Sequence, residues 1–441
     1  MTFADLNLNK PLLNALEELE YEIPTPIQRE AFSVIMSGKD IIGIAQTGTG
    51  KTFAYMLPLL RLHKFSKDPN PKILILVPTR ELVIQQVAEV EKLSKYMNIR
   101  FAGVYGGTNI NTQKNLLLGG LDLLIATPGR LRDLALSGAL KLKDVRKLVI
   151  DEVDEMLNLG FRPQLERIFE LLPNRRQNIM FSATLTPLIE KLIQDYFDFP
   201  EKIEIAPHGT PLEKIIQLGY HVPNFNTKVN LLKHLLSVDE SMNKVLIFTG
   251  SKKQADRLEE RLSLDYPEKI GVIHSNKSQN FRINALKSFH EGQYPILIAT
   301  DVMARGMDIS DVSHVINFDT PEVAVDYIHR IGRTGRADRD GIAISFIGDR
   351  EQVYQMAIEQ LMDKAIPLKP LPEEVEISDE LLPEETIPLG GDKQYLTVPS
   401  LKKSKGAFHE KKAKNVKVNR ANERRMARRV EKKKARRKKK K

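Results

Sequence analysis

From residue 41 to residue 346 one pattern recurs: a short apolar, β-branched run that stops abruptly at a polar or glycine-bearing segment. The runs are IIGI (41–44), ILILV (73–77), LLIA (123–126), LVI (148–150) and NIMF (178–181). After a gap come VLIF (245–248), ILIA (296–299), HVINF (314–318) and IAISF (342–346). Unbroken apolar runs of this length predict parallel strands buried on both faces. Helical periodicity lies between them, as in RELVIQQVAEVEKL (80–93) and QADRLEERL (254–262). Strand alternating with helix predicts an α/β fold with parallel sheets. The gap, roughly 200–225, holds Pro200, Pro207, Gly209, Pro211 and Pro223 and predicts a connection between two domains, 1–206 and 212–365.

The 441 residues carry 67 Lys+Arg and 57 Asp+Glu, but the charge is unevenly spread. Residues 402–441 hold 21 basic and 3 acidic side chains, a local +18, which leaves the first 401 residues at −8. Residues 366–393, proline-rich and acidic, predict an extended linker. Residues 394–441 predict a disordered basic tail, read as a solvated charge run, as a nuclear-localisation-like tract or, the favoured reading, as a nonspecific RNA tether. With no cysteine, disulfides, thiolate metal sites and cysteine nucleophiles are excluded. That composition fits a reducing cytosol, and a cytoplasmic location is the expectation. The apolar runs are far shorter than the ~18 residues of a membrane span, so no membrane association is expected.

In open parallel sheets ligands bind beyond the carboxyl ends of the strands, so the segments that follow the runs are the ones to read. AQTGTGKT (45–52) follows the first run and precedes a helix. Its glycines, Gly48 and Gly50, let backbone N–H groups turn toward phosphate oxygens. Around them Ala45, Gln46, Thr47 and Thr49 complete the loop. Lys51 can reach the β/γ-phosphates and the Thr52 hydroxyl can ligate Mg²⁺. The bland alternative is a glycine-bearing turn with a solvent-facing lysine. DEVD (151–154) places Asp151 at a strand end as a Mg²⁺ ligand and Glu152 where it can orient or deprotonate an attacking water. Zinc is disfavoured, since the nine histidines form no H-E-x-x-H pair. HRIGRTGR (329–336) spaces Arg330, Arg333 and Arg336 by three residues, and if two domains close face to face these guanidinium groups can meet a γ-phosphate.

Taken in order over about residues 3–365, these segments resemble the DEAD-box RNA helicases of superfamily 2. Phe3 with PTPIQ (24–28), PTREL (78–82), Gly106–Gly107, TPGR (127–130) and SAT (182–184) carry the resemblance, with SQNFR (278–282) and ATDVMARGMDI (299–309). The resemblance implies two tandem RecA-like domains and RNA-stimulated ATP hydrolysis with ATP and Mg²⁺. It implies that Gln28 reads the adenine edge, that Phe3 helps hold the base and that Asp308 binds the ribose. Arg333 and Arg336 are similar to the paired arginine fingers. Asp154, Ser182 and Thr184 look like the relay from hydrolysis to RNA. Pro78, Thr79, Arg80, Gly106, Gly107, Thr127, Pro128, Arg130, Arg282 and Thr300 resemble RNA-backbone contacts. The linker and tail look most like the bacterial RhlE-type subgroup. Two positions depart from the pattern: Val153 stands where the family has Ala, and Glu20 where it has Gly before the aromatic Tyr21. A DNA translocase and a non-hydrolysing RNA clamp are the competing readings; RNA should stimulate hydrolysis more than DNA, because the 2′-OH distinguishes them.

Overall fold

Among the described residues every strand pair is parallel, and the strands fall into two sheets of seven. The structure, a computed structural model, describes residues 1–45, 48–205, 215–301, 309, 312–335 and 341–386. Gln46, Thr47, Asp308, Arg336 and the basic tail 394–441 lie outside the described residues. The first sheet contains β1 (Ile41–Ile44), β2 (Ile73–Leu76), β3 (Phe101–Val104), β4 (Leu123–Ala126), β5 (Lys147–Ile150), β6 (Gln177–Ser182) and β7 (Glu201–Glu204). Their spatial order is β3-β4-β2-β5-β6-β1-β7. The second sheet contains β8 (Ile215–His221), β9 (Val245–Thr249), β10 (Ile270–Ile273), β11 (Ile296–Thr300), β12 (His314–Asn317), β13 (Gly341–Ile347) and β14 (Leu368–Lys369). Its order, β10-β11-β9-β12-β13-β8-β14, repeats the first strand for strand. The chain is one architecture used twice.

The central strands read as continuous apolar runs because both faces are covered. Leu74, Leu76, Leu124 and Ile150 pack to one side of the first sheet, and Ile73, Ile75, Ile125 and Val149 to the other. The four-residue β1 shows how close the strands pack with their own neighbours. A Cβ at Gly43 would stand 2.4 Å from the Phe181 ring of β6, so only glycine fits there.

This strand order sorts the expected functional segments into two groups. PTREL, Gly106–Gly107 and TPGR follow β2, β3 and β4, which are adjacent. AQTGTGKT, DEVD and SAT follow β1, β5 and β6, which are also adjacent. The border runs between β2 and β5. Helix Arg80–Leu93 leaves β2 at that border.

Two expectations are corrected. The stretch 200–225 is not only connection, because β7 and β8 lie within it. β7 is an edge strand whose Glu201, Lys202 and Glu204 face water, and β8 alternates buried and exposed residues, so neither forms an unbroken apolar run. Residues 366–382 are likewise not a free linker. Ile366 and Val375 are buried, β14 pairs with β8, and the strap then crosses helix Phe225–Val238. There the side-chain amides of Asn224, Asn226 and Asn230 donate to the carbonyls of Ser378, Glu380 and Glu376 at 2.6, 2.8 and 2.9 Å. The Ser378 N–H donates to the Thr227 hydroxyl at 3.0 Å. Prolines and exposed glutamates give the strap a linker's composition, while the donors that satisfy its backbone lie about 150 residues upstream. Asn224 also caps the helix, its Oδ1 accepting from the Thr227 N–H at 2.9 Å. Asn224→Ala should therefore cost roughly 2 kcal/mol in denaturant unfolding, the sum of a lost cap and a lost strap bond.

Candidate active site

A cavity of about 380 Å³ opens over the carboxyl ends of β1 and β5. Its lining includes Phe3, Gln28, Gly48, Gly50, Lys51, Thr52, Asp151 and Glu152, and Arg333 reaches it from the second half of the chain. Gly48 and Gly50 hold φ of 81° and 87°, the left-handed region where a side chain is strained. Gly50 has a second reason to be glycine. A Cβ there would lie 2.4 Å from the Gln28 amide nitrogen, which donates to the Gly50 carbonyl at 3.1 Å. The loop therefore carries its lysine into the cavity on a turn that Gln28 braces.

Lys51 is buried, and its ammonium has no hydrogen-bond partner among the described residues. A buried, unpaired cation is costly unless an anion completes it. Across from it stand two carboxylates. Burial pushes the Asp151 carboxyl up, against the pull of Lys51 and the hydrogen bond from Tyr55. Burial also pushes Glu152 up, to about 7, with Lys51 and Arg333 drawing it down and Asp151 adding to the rise. Glu152 has φ 53°, a left-handed backbone that turns the chain from β5 into helix Val153–Asn158. Strain of this kind at a non-glycine residue marks a position that its surroundings over-determine.

Asp154 faces the SAT segment. Its Oδ2 accepts from the Ala183 and Thr184 N–H groups, each at 3.0 Å, and from the Thr184 hydroxyl at 3.2 Å. Ser182 donates to the Thr184 carbonyl at 2.7 Å, and the Ser182 carbonyl accepts from the Ala45 N–H at 3.0 Å. DEVD, SAT and the phosphate-loop entrance are thus one hydrogen-bonded unit. Val153 is fully buried, and its two extra methyls fill the core under the helix without touching the cavity.

Arg80 and Gly107 meet at one end of the first sheet, where a Cβ at Gly107 would stand 2.3 Å from the guanidinium. Pro78 and Pro128 are buried; the Thr79 hydroxyl caps helix Arg80–Leu93, and Thr127 stands at the start of helix Pro128–Leu136 without a side-chain cap bond. Thr300 ends β11, and Gly106 is half-buried beside Gly107. Two arginines expected on RNA have partners within the protein. Arg130 donates to the Gln113 side chain and to the Thr108 carbonyl, both at 2.7 Å, and so fixes the turn after Gly106–Gly107. Arg282 is buried and pairs with Glu81 at 2.8 Å, joining helix Gln279–His290 to helix Arg80–Leu93. Arg330 likewise turns away from the cavity. It clamps Asp301 with two bonds of 2.5 and 2.7 Å and donates to the Asp319 carbonyl. The sequence spacing made the three arginines look equivalent. Position separates them: Arg330 is held on Asp301, whereas Arg333 lines the cavity.

Sequence reasoning missed several lining residues. Tyr21 and Phe53 pack edge to face at 5.3 Å, and with Ile23 they give the cavity an apolar wall near Phe3. Leu82, Gln85 and Glu89 line it from helix Arg80–Leu93. The departure at Glu20 also has a structural counterpart: it adopts φ 58°, a conformation better suited to the glycine of the family pattern.

Two duplicated parallel sheets, a glycine-lysine loop, an acidic strand end and an arginine from the second half define a nucleotide-hydrolysing protein of the two-domain helicase class. Within that class, the DEAD/DEAH box helicase profile matches residues 25–192 and the helicase conserved C-terminal domain matches residues 227–338. The chain is 37% identical over 374 residues to the ATP-dependent RNA helicase RhlB of Shewanella sediminis, covering 83% of this chain and 85% of that protein. It is 38% identical over 360 residues to the DEAD-box ATP-dependent RNA helicase CshA of Bacillus subtilis, covering 82% and 72%. The fold is similar to that of S. cerevisiae Dbp5 bound to RNA and ADP BeF3, with a TM-score of 0.75, 28% identity, and 84% and 96% of the two chains covered. It is similar also to Mss116p bound to ssRNA and AMP-PNP, with a TM-score of 0.77, 29% identity and 86% and 81% covered. The chain belongs to the DEAD-box ATP-dependent RNA helicases. The RhlE-type resemblance rests on the linker and tail alone. No helix among the described residues is long and apolar enough to cross a membrane.

Proposed function

We propose that this helicase binds ATP in the cavity between residues 1–206 and 212–365 and couples its hydrolysis to local remodelling of short RNA duplexes. The observation that carries the reading is Arg333 in the lining of a cavity otherwise built by the first half of the chain. Phe3 and the Tyr21–Phe53 wall offer an apolar slot for the base, and the loop 45–52 with Lys51 offers positive charge for the triphosphate. The RNA partner lies along the segments after β2, β3 and β4, with Arg80 and Gly107 at its centre. Contacts there are to the backbone, so little sequence preference is expected.

Mg²⁺ fits the residues present. The Thr52 hydroxyl and the Asp151 carboxylate are oxygen donors in one cavity. Among the described residues no cluster of three metal-ligating side chains occurs, which suits a cation held by one carboxylate and by substrate phosphates. When bound it would neutralise charge developing on the phosphates. Lys51 binds and orients the phosphates, and Glu152 holds the attacking water and receives its proton. Arg333 meets the charge that develops at the γ-phosphate. Asp154 transmits the state of the cavity to Ser182 and Thr184 through the bonds already described. A cytoplasmic location belongs to the same proposal.

Gln28 supplies the test of nucleotide choice. Its Oε1 accepts from the Thr25 N–H at 2.9 Å and its amide donates to Gly50, which leaves one donor and one acceptor site for a base. Adenine offers a ring nitrogen and an amino group that match this pair. Gln28→Ala should lower ATP affinity about tenfold and narrow the gap between ATP and GTP, read as KM for RNA-stimulated hydrolysis. Equal use of both triphosphates by the wild type would remove the adenine-reading role.

A further inference from the structure

Tyr55 lies one helical turn beyond Lys51 in helix Lys51–Leu62 and is fully buried. Its hydroxyl donates to Asp151 Oδ2 at 2.8 Å. Gln86, from helix Arg80–Leu93, donates to Asp151 Oδ2 at 3.1 Å. The Glu152 N–H donates to Asp151 Oδ1 at 3.0 Å. An ionised carboxylate has about four acceptor sites. Both sites on Oδ2 are filled, and one of the two on Oδ1 is filled as well.

We infer that Tyr55, with Gln86, is a positioning residue for the cation's carboxylate ligand, holding Asp151 so that one acceptor site on Oδ1 stays open. Phenylalanine would fill the same space and donate nothing to Asp151. Gln86 adds a connection across the border between β2 and β5. It lies six residues from Arg80 and five from Glu81, so a shift of that helix on RNA or on the Arg282 pair would move a donor on Asp151.

The inference rests on the reading that Thr52 and Asp151 hold Mg²⁺, and the test separates the two. Binding of a fluorescent ADP to the full chain would be titrated with Mg²⁺ and repeated in chelator, without turnover. In Tyr55→Phe the Mg²⁺ needed for half-maximal enhancement should rise about tenfold, within the range seen when outer partners of metal ligands are removed. Affinity in chelator should stay within twofold of wild type. Gln86→Met should shift the Mg²⁺ requirement in the same direction. A Mg²⁺ requirement unchanged in Tyr55→Phe, or affinity lost equally with and without Mg²⁺, would make the phenol a core residue and overturn the inference. A wild type whose ADP binding ignores Mg²⁺ would remove the metal reading itself, and the inference with it.

Discussion

Arg333→Ala should leave ATP binding within a few-fold of wild type while cutting RNA-stimulated turnover by about 10³ or more. The reason is where the guanidinium sits. It is buried, it lines the same cavity as Lys51, and its charge lowers the Glu152 carboxyl. A cation that reaches the γ-phosphate only when the two halves meet contributes chiefly to the transition state, and 10³ in rate corresponds to about 4 kcal/mol of barrier. Arg330→Ala should behave differently. That side chain clamps Asp301, so its loss should show first as unfolding, with a lower Tm of the second domain. Turnover by Arg333→Ala near the wild-type rate at saturating RNA and ATP would refute the assignment.

The parts legible in the sequence are those whose chemistry is local. A glycine-lysine loop after an apolar run, an acidic tetrapeptide at a strand end and a helix such as Arg80–Leu93 each need only neighbours along the chain. β3 and β10, with sequences FAGV and IGVI, were not legible, because each is a four-residue edge strand that pairs on one side only, with a strand later in the chain. The strap at 366–382 was hidden for a related reason, since its binding partners are asparagines on a helix far upstream. Arg130, Arg282 and Arg330 show the limit of reading charge. In sequence each is a cation beside a motif, and only the fold reveals a carboxylate or carbonyl waiting within 3 Å. Tyr55 is the converse case. An aromatic on the buried face of a helix reads as core, and nothing local indicates that its hydroxyl ends on Asp151.

Glu152→Gln is the second variant of large effect. It should lower RNA-stimulated turnover by roughly 10²–10⁴, the span of a lost general base, while ATP-dependent RNA binding persists because no phosphate-binding group has changed. Its pH behaviour gives an independent check. The folded protein raises this carboxyl from about 4.5 to about 7, chiefly by burial. A raised carboxyl is disfavoured when ionised, so its contribution to stability is complete below the unfolded value and is lost as pH rises through about 7. In nucleotide-free protein, Glu152→Gln and wild type should therefore melt together near pH 4. The glutamine variant should become the more stable of the two as pH passes from 5 to 8. The wild-type kcat/KM, which reports the free enzyme, should fall on the acid side with an apparent pKa near 7, because only the ionised carboxylate can take the water's proton. A melting difference that stays constant across this range would show that Glu152 titrates as an ordinary surface carboxylate. Half-buried in the cavity beside Lys51 and Asp151, it is desolvated there in a way that a surface carboxylate is not.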